Sequence, residues 1–295
     1  MEERITGTTG LLGLIGSPVG HSGSPAMYNF SFRYHKLDYA YLAFDIKEDQ
    51  VPAALDAMRL FHMRGCNVTM PCKTKAAACV DELSPAAAIV GAVNTIVNDD
   101  GHLTGHITDG IGFIRNLKEY GFDVAGKRIV MLGAGGAATA IFVQCALDGA
   151  ASISIFNRNS PTLKRAKETA EKLKSGAPAC EVQVYCLEDQ EKLRKELSEA
   201  DLLINGTSAG MTPHEDETLV DQSLLRPQLA VADIIYHPLE TRLLREARQA
   251  GCYLTVNGEG MLLWQGVAAY KLYTGLEMPV REYQKFLEED DFGRR

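Results

Sequence analysis

Four short stretches gather reactive side chains more densely than a structural segment requires. In His21-Ser22-Gly23-Ser24-Pro25, two hydroxyls and free backbone amides converge where a helix should begin, and several donors there could hold a carboxylate. Taken alone, the same residues read as one serine capping a helix. Asn67-Val68-Thr69-Met70-Pro71-Cys72-Lys73 sets a lysine just past an apolar run of strand type, at the sheet edge where α/β proteins bind ligands. A lone lysine at such a place is usually solvated. Thr108-Asp109-Gly110 stands where one domain hands over to the next, so its carboxylate either reaches a cleft or caps a helix. Cys72 adjoins the lysine, but a cysteine is more often a small hydrophobe than a nucleophile, and no role is assigned to it.

The fourth stretch, Gly133-Ala134-Gly135-Gly136-Ala137-Ala138, matches G-x-G-x-x-A. Its setting gives the match weight: an apolar run at 128–132 precedes it, a helical pattern at 137–147 follows, and a second strand pattern ends at Phe156. In such a unit the first glycine permits the tight turn and the second admits a pyrophosphate to the backbone. The small Ala138 lets helix and strand approach, and the helix N-terminus faces the negative charge. The tip of the second strand carries Asn157-Arg158-Asn159 where an acid would select an unphosphorylated ribose. With Arg158, Lys164 and Arg165 close by, a guanidinium can face a 2'-phosphate, so NADP is favoured over NAD. The plainer reading makes these basic residues a solvated helix start, and use of both dinucleotides stays open.

Positioning these groups calls for two α/β domains. Before residue 108 the apolar periodicity predicts strands over 11–16, 39–44, 65–70 and 92–98, and helices over 24–34, 50–63 and 84–90, the last with Ser84 as cap and Pro85 at its first position. Asn98-Asp99-Asp100-Gly101 is a turn, with 103–106 as the returning strand of a hairpin. From 128 a second alternation reads as a doubly wound parallel sheet, with strands at 128–132, 152–156, 181–185, 202–205, 229–233 and 253–256 and helices between them. Two further helices follow, an apolar one over 260–273 and an amphipathic one over 278–287. The tail from Glu288 to Arg295 reads as loose. The expected division is an N-terminal α/β substrate domain over 1–107 and a Rossmann dinucleotide domain over 108–259, with 260–290 packing back on the first.

The chain from about Leu11 to the final helices resembles the shikimate dehydrogenase family. The phrases that carry the resemblance, beside the four stretches above, are Gly91-Ala92-Val93-Asn94-Thr95, Asn205-Gly206-Thr207, Asp233-Ile234-Ile235-Tyr236-His237-Pro238 and Gly258-Glu259-Gly260-Met261-Leu262 ending in Gln265. Met63-Arg64-Gly65, Val97-Asn98-Asp99-Asp100-Gly101 and Met261-Leu262-Leu263-Trp264-Gln265-Gly266 make it most similar to the quinate/shikimate branch. That resemblance implies reversible NAD(P)-dependent reduction of 3-dehydroshikimate to shikimate in chorismate biosynthesis, with quinate as a further substrate left open. It implies that Ser22 and Ser24, assisted by Tyr236, bind a carboxylate, and that Thr69, Asn94, Asp109 and Gln265 hold ring hydroxyls. Lys73 is then the acid/base and Asp109 its orienting partner. Gly133, Ala134, Gly135, Gly136, Ala137, Asn157, Arg158, Thr207, Ile234 and Gly258 would line the dinucleotide, without a metal. Ser160 stands about where quinate/shikimate enzymes that accept NAD tend to carry an acid, which weighs against an NAD preference.

Composition narrows the classes. The chain of 295 residues is 46% hydrophobic and 23% charged, an ordinary globular balance large enough for two cores. A formal charge of −8 provides no basic field for nucleic acid. Met-Glu-Glu-Arg is no export signal, and the apolar stretch behind it is too short to span a bilayer. Seven cysteines without CxxC pairs or histidines at metal-ligand spacing read as reduced thiols in a cytoplasm. Oligomeric state has no readable motif. Three functions remain: a shikimate dehydrogenase, a quinate dehydrogenase of catabolism, and a dinucleotide-sensing regulator, the last opposed by the presence of both Lys73 and Asp109.

Overall fold

The computed structural model describes residues 5–293. The chain forms two compact units, Met1–Thr108 with Gly266–Arg295, and Asp109–Gln265.

The first unit is built on a six-stranded mixed sheet. Strands β1 (Gly10–Gly16), β2 (Tyr39–Asp45), β3 (Gly65–Val68), β4 (Glu82–Leu83), β5 (Thr95–Asp99) and β6 (His102–His106) lie in the order β2-β1-β3-β5-β6-β4. β1 runs parallel to β2 and β3, and β5 antiparallel to β3 and β6, so the ends of β1 and β3 and the start of β5 share one edge. Helix α1 (Ser24–His35) buries Met27, Tyr28, Ser31 and Phe32 at helical spacing and stops where Lys36 turns left-handed, at φ 55°. Tyr28 stacks on Tyr41 with centroids 4.4 Å apart. Tyr273 meets its edge at 6.1 Å, and Tyr270 packs on Phe32 at 5.7 Å. This apolar stack, with the Tyr28 hydroxyl donating to the Gly266 carbonyl at 3.1 Å, joins α1 to the C-terminal residues of the unit. α2 (Val51–Leu60), α3 (Lys73–Ala77) and α4 (Pro85–Val90) complete the layer, and Ser84 caps α4 by accepting from the Ala87 N–H.

The second unit opens with α5 (Asp109–Glu119). Its sheet has β7 (Arg128–Leu132), β8 (Ser152–Asn157), β9 (Glu181–Cys186), β10 (Leu202–Asn205), β11 (Ala230–Asp233) and β12 (Leu254–Val256), all parallel, in the order β12-β11-β10-β7-β8-β9. The order reverses at β7, and ligands bind at such a switch point, outside the carboxyl ends of the strands. Near-continuous apolar strands follow from burial on both faces. α6 (Gly136–Leu147) and α7 (Pro161–Gly176) pack on each other and on β8. Another face takes Leu193 and Leu197 of α8 (Gln190–Glu199) and Leu243 and Leu244 of α9 (Arg242–Gln249) against Val130, Leu203 and Val231. Helix α10 (Glu259–Thr274) begins within this unit.

Four local expectations change. The helix expected over 50–63 ends at Leu60, because Phe61 leaves helical geometry and His62 adopts φ 51°. The strand expected from 92 starts at Thr95; Val93 instead donates to the Lys73 carbonyl at 3.1 Å. The strand expected over 65–70 stops at Val68, where the Thr69 carbonyl turns to accept from Cys72 at 2.9 Å. Last, α11 (Val280–Gly293) continues through 288, where a loose tail was expected; Tyr283 and Phe286 hold it against Phe30 at 5.4 and 5.0 Å. Residues 294–295 of that tail, like 1–4 of the N-terminus, lie outside the described residues. No helix among the described residues is long and apolar enough to cross a membrane.

Candidate active site

In the first unit, Ser22, Ser24, Thr69, Lys73 and Asn94 are brought to one edge of the sheet by the elements that end or begin there. The two serines lie in the connection from β1 to α1, and neither caps the helix, since Gly23 is the cap residue and no side chain bonds the first turn. Ser22 Oγ accepts from the Ser24 N–H at 3.2 Å, and both residues remain partly exposed. Thr69 is held by its own N–H donating to Ile15 at 2.9 Å. Gly16 lets β1 pass this close: at its φ of 148° a β-carbon would stand 2.8 Å from the Met70 carbonyl. Lys73 is the first residue of α3, and the Val93 bond to its carbonyl ties α3 to the segment that carries Asn94.

Asn94 is buried, and its carboxamide is oriented on both sides. Its Oδ1 accepts from the Thr108 N–H at 2.8 Å and the Thr95 hydroxyl at 3.0 Å, while Nδ2 donates to Thr108 Oγ1 at 3.0 Å. Behind it, Asn67 accepts from the Tyr41 hydroxyl at 2.7 Å and donates to the Asn94 carbonyl at 3.2 Å. Sequence reasoning gave Asn67, Thr95 and Thr108 no role. The one available signal was Asn67 itself, an amide inside the fully buried strand β3. Cys72 is buried with its thiol 3.7 Å from the Ile46 carbonyl, and burial pushes its pKa up, which fits a packing role.

In the second unit, Asp109 begins α5 and is nearly buried. Gly112, three residues on and on the same helical face, allows contact with α10: a β-carbon there would lie 2.5 Å from the Gln265 nitrogen. The neighbouring turn carries Arg115 over the ring of Trp264, 4.9 Å from its centroid. Tyr236 lies beyond β11 and is half exposed.

The glycine turn joins β7 to α6. Gly133 has φ 90°, and a β-carbon on it would be 2.7 Å from Thr207. Gly206 and Ala138 come equally close, so the small residues at both places let α6 settle on the strand ends. Gly135 and Gly136 are exposed and face no protein atom within 4 Å of an added β-carbon, and no side chain caps α6, so its first N–H groups are open to an anion. These residues fit a dinucleotide pyrophosphate. Asn157, at the tip of β8, accepts from the Ala134 N–H at 3.1 Å and donates to Ser160 Oγ at 3.2 Å, bracing the turn from the side. Arg158 is exposed beside it, whereas Lys164 is directed to Glu168, 4.0 Å away, on an exposed flank.

The remaining strand ends are knit by a buried network centred on Asp233, which, like Asn205 and Thr241, had no role in the sequence reading. Asp233, fully buried, accepts from Asn205 Nδ2 at 3.1 Å, Ile235 N–H at 3.0 Å and Thr241 Oγ1 at 2.8 Å; burial nevertheless raises its pKa. Thr207 donates to Asn205 Oδ1 at 2.7 Å. Gly258 donates to Ile235 at 3.0 Å, and a β-carbon there would run into the Ile234 carbonyl. Gly133, Arg158, Thr207, Ile234 and Gly258 therefore all stand at the carboxyl ends of the parallel strands. Among the described residues no cluster of histidine, cysteine and carboxylate side chains could hold a metal ion.

Comparison with known proteins agrees with this geometry. Residues 14–96 match the shikimate dehydrogenase substrate binding domain, 116–235 match shikimate/quinate 5-dehydrogenase, and 258–282 match the shikimate 5'-dehydrogenase C-terminal domain. A shikimate dehydrogenase (NADP(+)) from Listeria monocytogenes is 50% identical over 286 residues, covering 97% of this chain and 98% of that protein. The chain belongs to the shikimate dehydrogenase family. A quinate/shikimate dehydrogenase from Escherichia coli is 47% identical, with 95% of this chain and 97% of the relative covered. A crystal structure of shikimate 5-dehydrogenase from L. monocytogenes in complex with shikimate and NAD superimposes with a TM-score of 0.92, at 50% identity over 97% of this chain and 99% of the other. Within this family the α/β sheet of the first unit and the doubly wound sheet of the second are the shared architecture.

Proposed function

We propose that the protein is a shikimate dehydrogenase that oxidises shikimate to 3-dehydroshikimate, and reverses the reaction, with NADP as the favoured dinucleotide and NAD as the second. The observation that carries the reading is the set at one sheet edge of the first unit: donors suited to a carboxylate at Ser22 and Ser24, donors suited to hydroxyls at Thr69 and Asn94, and an amine at Lys73. A small cyclic acid bearing several hydroxyls is the ligand such a set recognises. Likeness over nearly the whole chain to relatives named for shikimate supports the same substrate.

In this reading Ser22 and Ser24 hold the carboxylate, with Tyr236 assisting. Thr69, Asn94, Asp109 and Gln265 orient the ring hydroxyls, and Asp109 positions Lys73. The bound dinucleotide supplies the hydride acceptor or donor. Lys73 takes the proton from the reacting hydroxyl as that carbon becomes a carbonyl and returns it in the reverse direction, so charge does not build up on oxygen. Gly133, Ala134, Gly135, Gly136 and Ala137 receive the pyrophosphate, Asn157 holds that turn, and Arg158 faces the 2'-phosphate. Thr207, Ile234 and Gly258 line the rest of the dinucleotide.

Initial rates of nicotinamide reduction with shikimate and quinate, each paired with NADP and NAD, test the assignment. Shikimate with NADP should give the highest kcat/KM. Quinate giving it instead would move the protein to a catabolic role, because the two acids differ in groups that a hydrogen-bonding pocket discriminates. Silence in all four would overturn the reading.

A further inference from the structure

The tip of β8 has a neighbour from β9. Asn157 pairs with Cys186 in the parallel ladder, and Leu187 donates to the Asn157 carbonyl at 3.0 Å, so the chain leaving β9 runs beside Arg158 and Asn159. Glu188 follows. Its carboxylate accepts from Cys186 Sγ at 2.7 Å and from the backbone N–H of Asn159, with the Arg158 guanidinium acting on it. The thiol hydrogen bond, aided by those groups, holds its carboxyl below the ordinary glutamate range, so it is negative at neutral pH. Asn157 fixes the other side: it donates to the Arg158 carbonyl at 2.9 Å while accepting from the glycine turn.

We propose that Glu188 is a specificity-determining residue for the dinucleotide, its fixed carboxylate opposing a 2'-phosphate at the Arg158 tip while leaving an unphosphorylated ribose unopposed. The sequence pattern places the selecting acid of a Rossmann unit at the end of the second strand. Here that position is Asn157-Arg158, and the acid arrives instead from the end of the third strand, where no motif search would look. Arg158 attracts the phosphate and Glu188 subtracts from that attraction, which draws the two cofactors together in affinity. The inference rests on the reading that the second unit holds NAD(P) at this edge.

The test is fluorescence titration of NADPH and NADH against the wild type, Glu188→Gln and Arg158→Ala. The Glu188→Gln variant keeps an acceptor for Asn159 and Cys186 but loses the charge. It should tighten NADPH two- to fivefold, on the order of an exposed charge pair, leave NADH unchanged, and lose its advantage at high salt. Arg158→Ala should weaken NADPH selectively. Equal shifts for both nucleotides, or none, would overturn the proposal. If the wild type binds neither nucleotide, the reading of the second unit fails and the proposal with it. If both bind but shikimate is not oxidised, only the substrate reading fails, and Glu188 is judged on the binding constants alone.

Discussion

In the proposed reaction Lys73 and Asn94 do different kinds of work. On that proposal Lys73 contributes an amine whose part is taken in the transition state. Lys73→Ala should therefore lower kcat by about a thousandfold while shikimate affinity, followed by calorimetric titration, stays within about threefold. A comparable loss in both would show that Lys73 mainly binds. Asn94 depends on Thr108, whose hydroxyl and N–H set the two ends of its carboxamide. Thr108→Val keeps the N–H and removes the hydroxyl. It should raise KM for shikimate by about fivefold, the equivalent of roughly 1 kcal/mol, with kcat little changed. At this scale the sequence yields side chains whose own chemistry is conspicuous, such as Lys73 and the paired serines. It hides Thr108, Thr95 and Asn67, because their value lies in partners brought together from three separate strand ends.

Elements were legible wherever periodicity ran long enough. β7 and β10 occupy the expected residues, and α6 begins one residue before the expected 137. Five-residue α3 and two-residue β4 were missed, since neither spans enough positions to show a period. Phrases that mark the quinate/shikimate branch turn out to serve the fold. Arg64 donates to the Tyr273 and Asn98 carbonyls at 2.9 and 2.8 Å, and Asn98 accepts from Gly101 at 2.7 Å to close the β5–β6 turn. Asp233 at the end of β11 gives a prediction of the same order. Its folded pKa is raised, so between the ordinary carboxylate value and the raised one the folded state keeps a proton that the unfolded chain has released. Stability then falls as pH climbs through that window, and the cost is complete above it. Measured by urea denaturation against Asp233→Asn, which has nothing to titrate there, the wild type should gain stability as pH falls from neutral toward about 4. A difference between the two that is flat with pH would contradict the assignment.

For the molecule as a whole, the assignment of the nucleotide to the unit Asp109–Gln265 predicts where ligand stabilisation is felt. Saturating NADP at about a hundredfold its dissociation constant should add about 2.7 kcal/mol to the unfolding of that unit, shifting its thermal transition upward, whereas shikimate alone should act first on the other. The chain carries the means to see this. Trp264 is its single tryptophan and lies in the second unit beneath Arg115, while the stacked rings of Tyr28, Tyr41 and Tyr273 lie in the first. Excitation at the red edge of indole absorption thus follows one unit, and the near-ultraviolet circular dichroism of the coupled phenols weights the other. One unlabelled sample, heated once under two detectors, reports a melting curve for each.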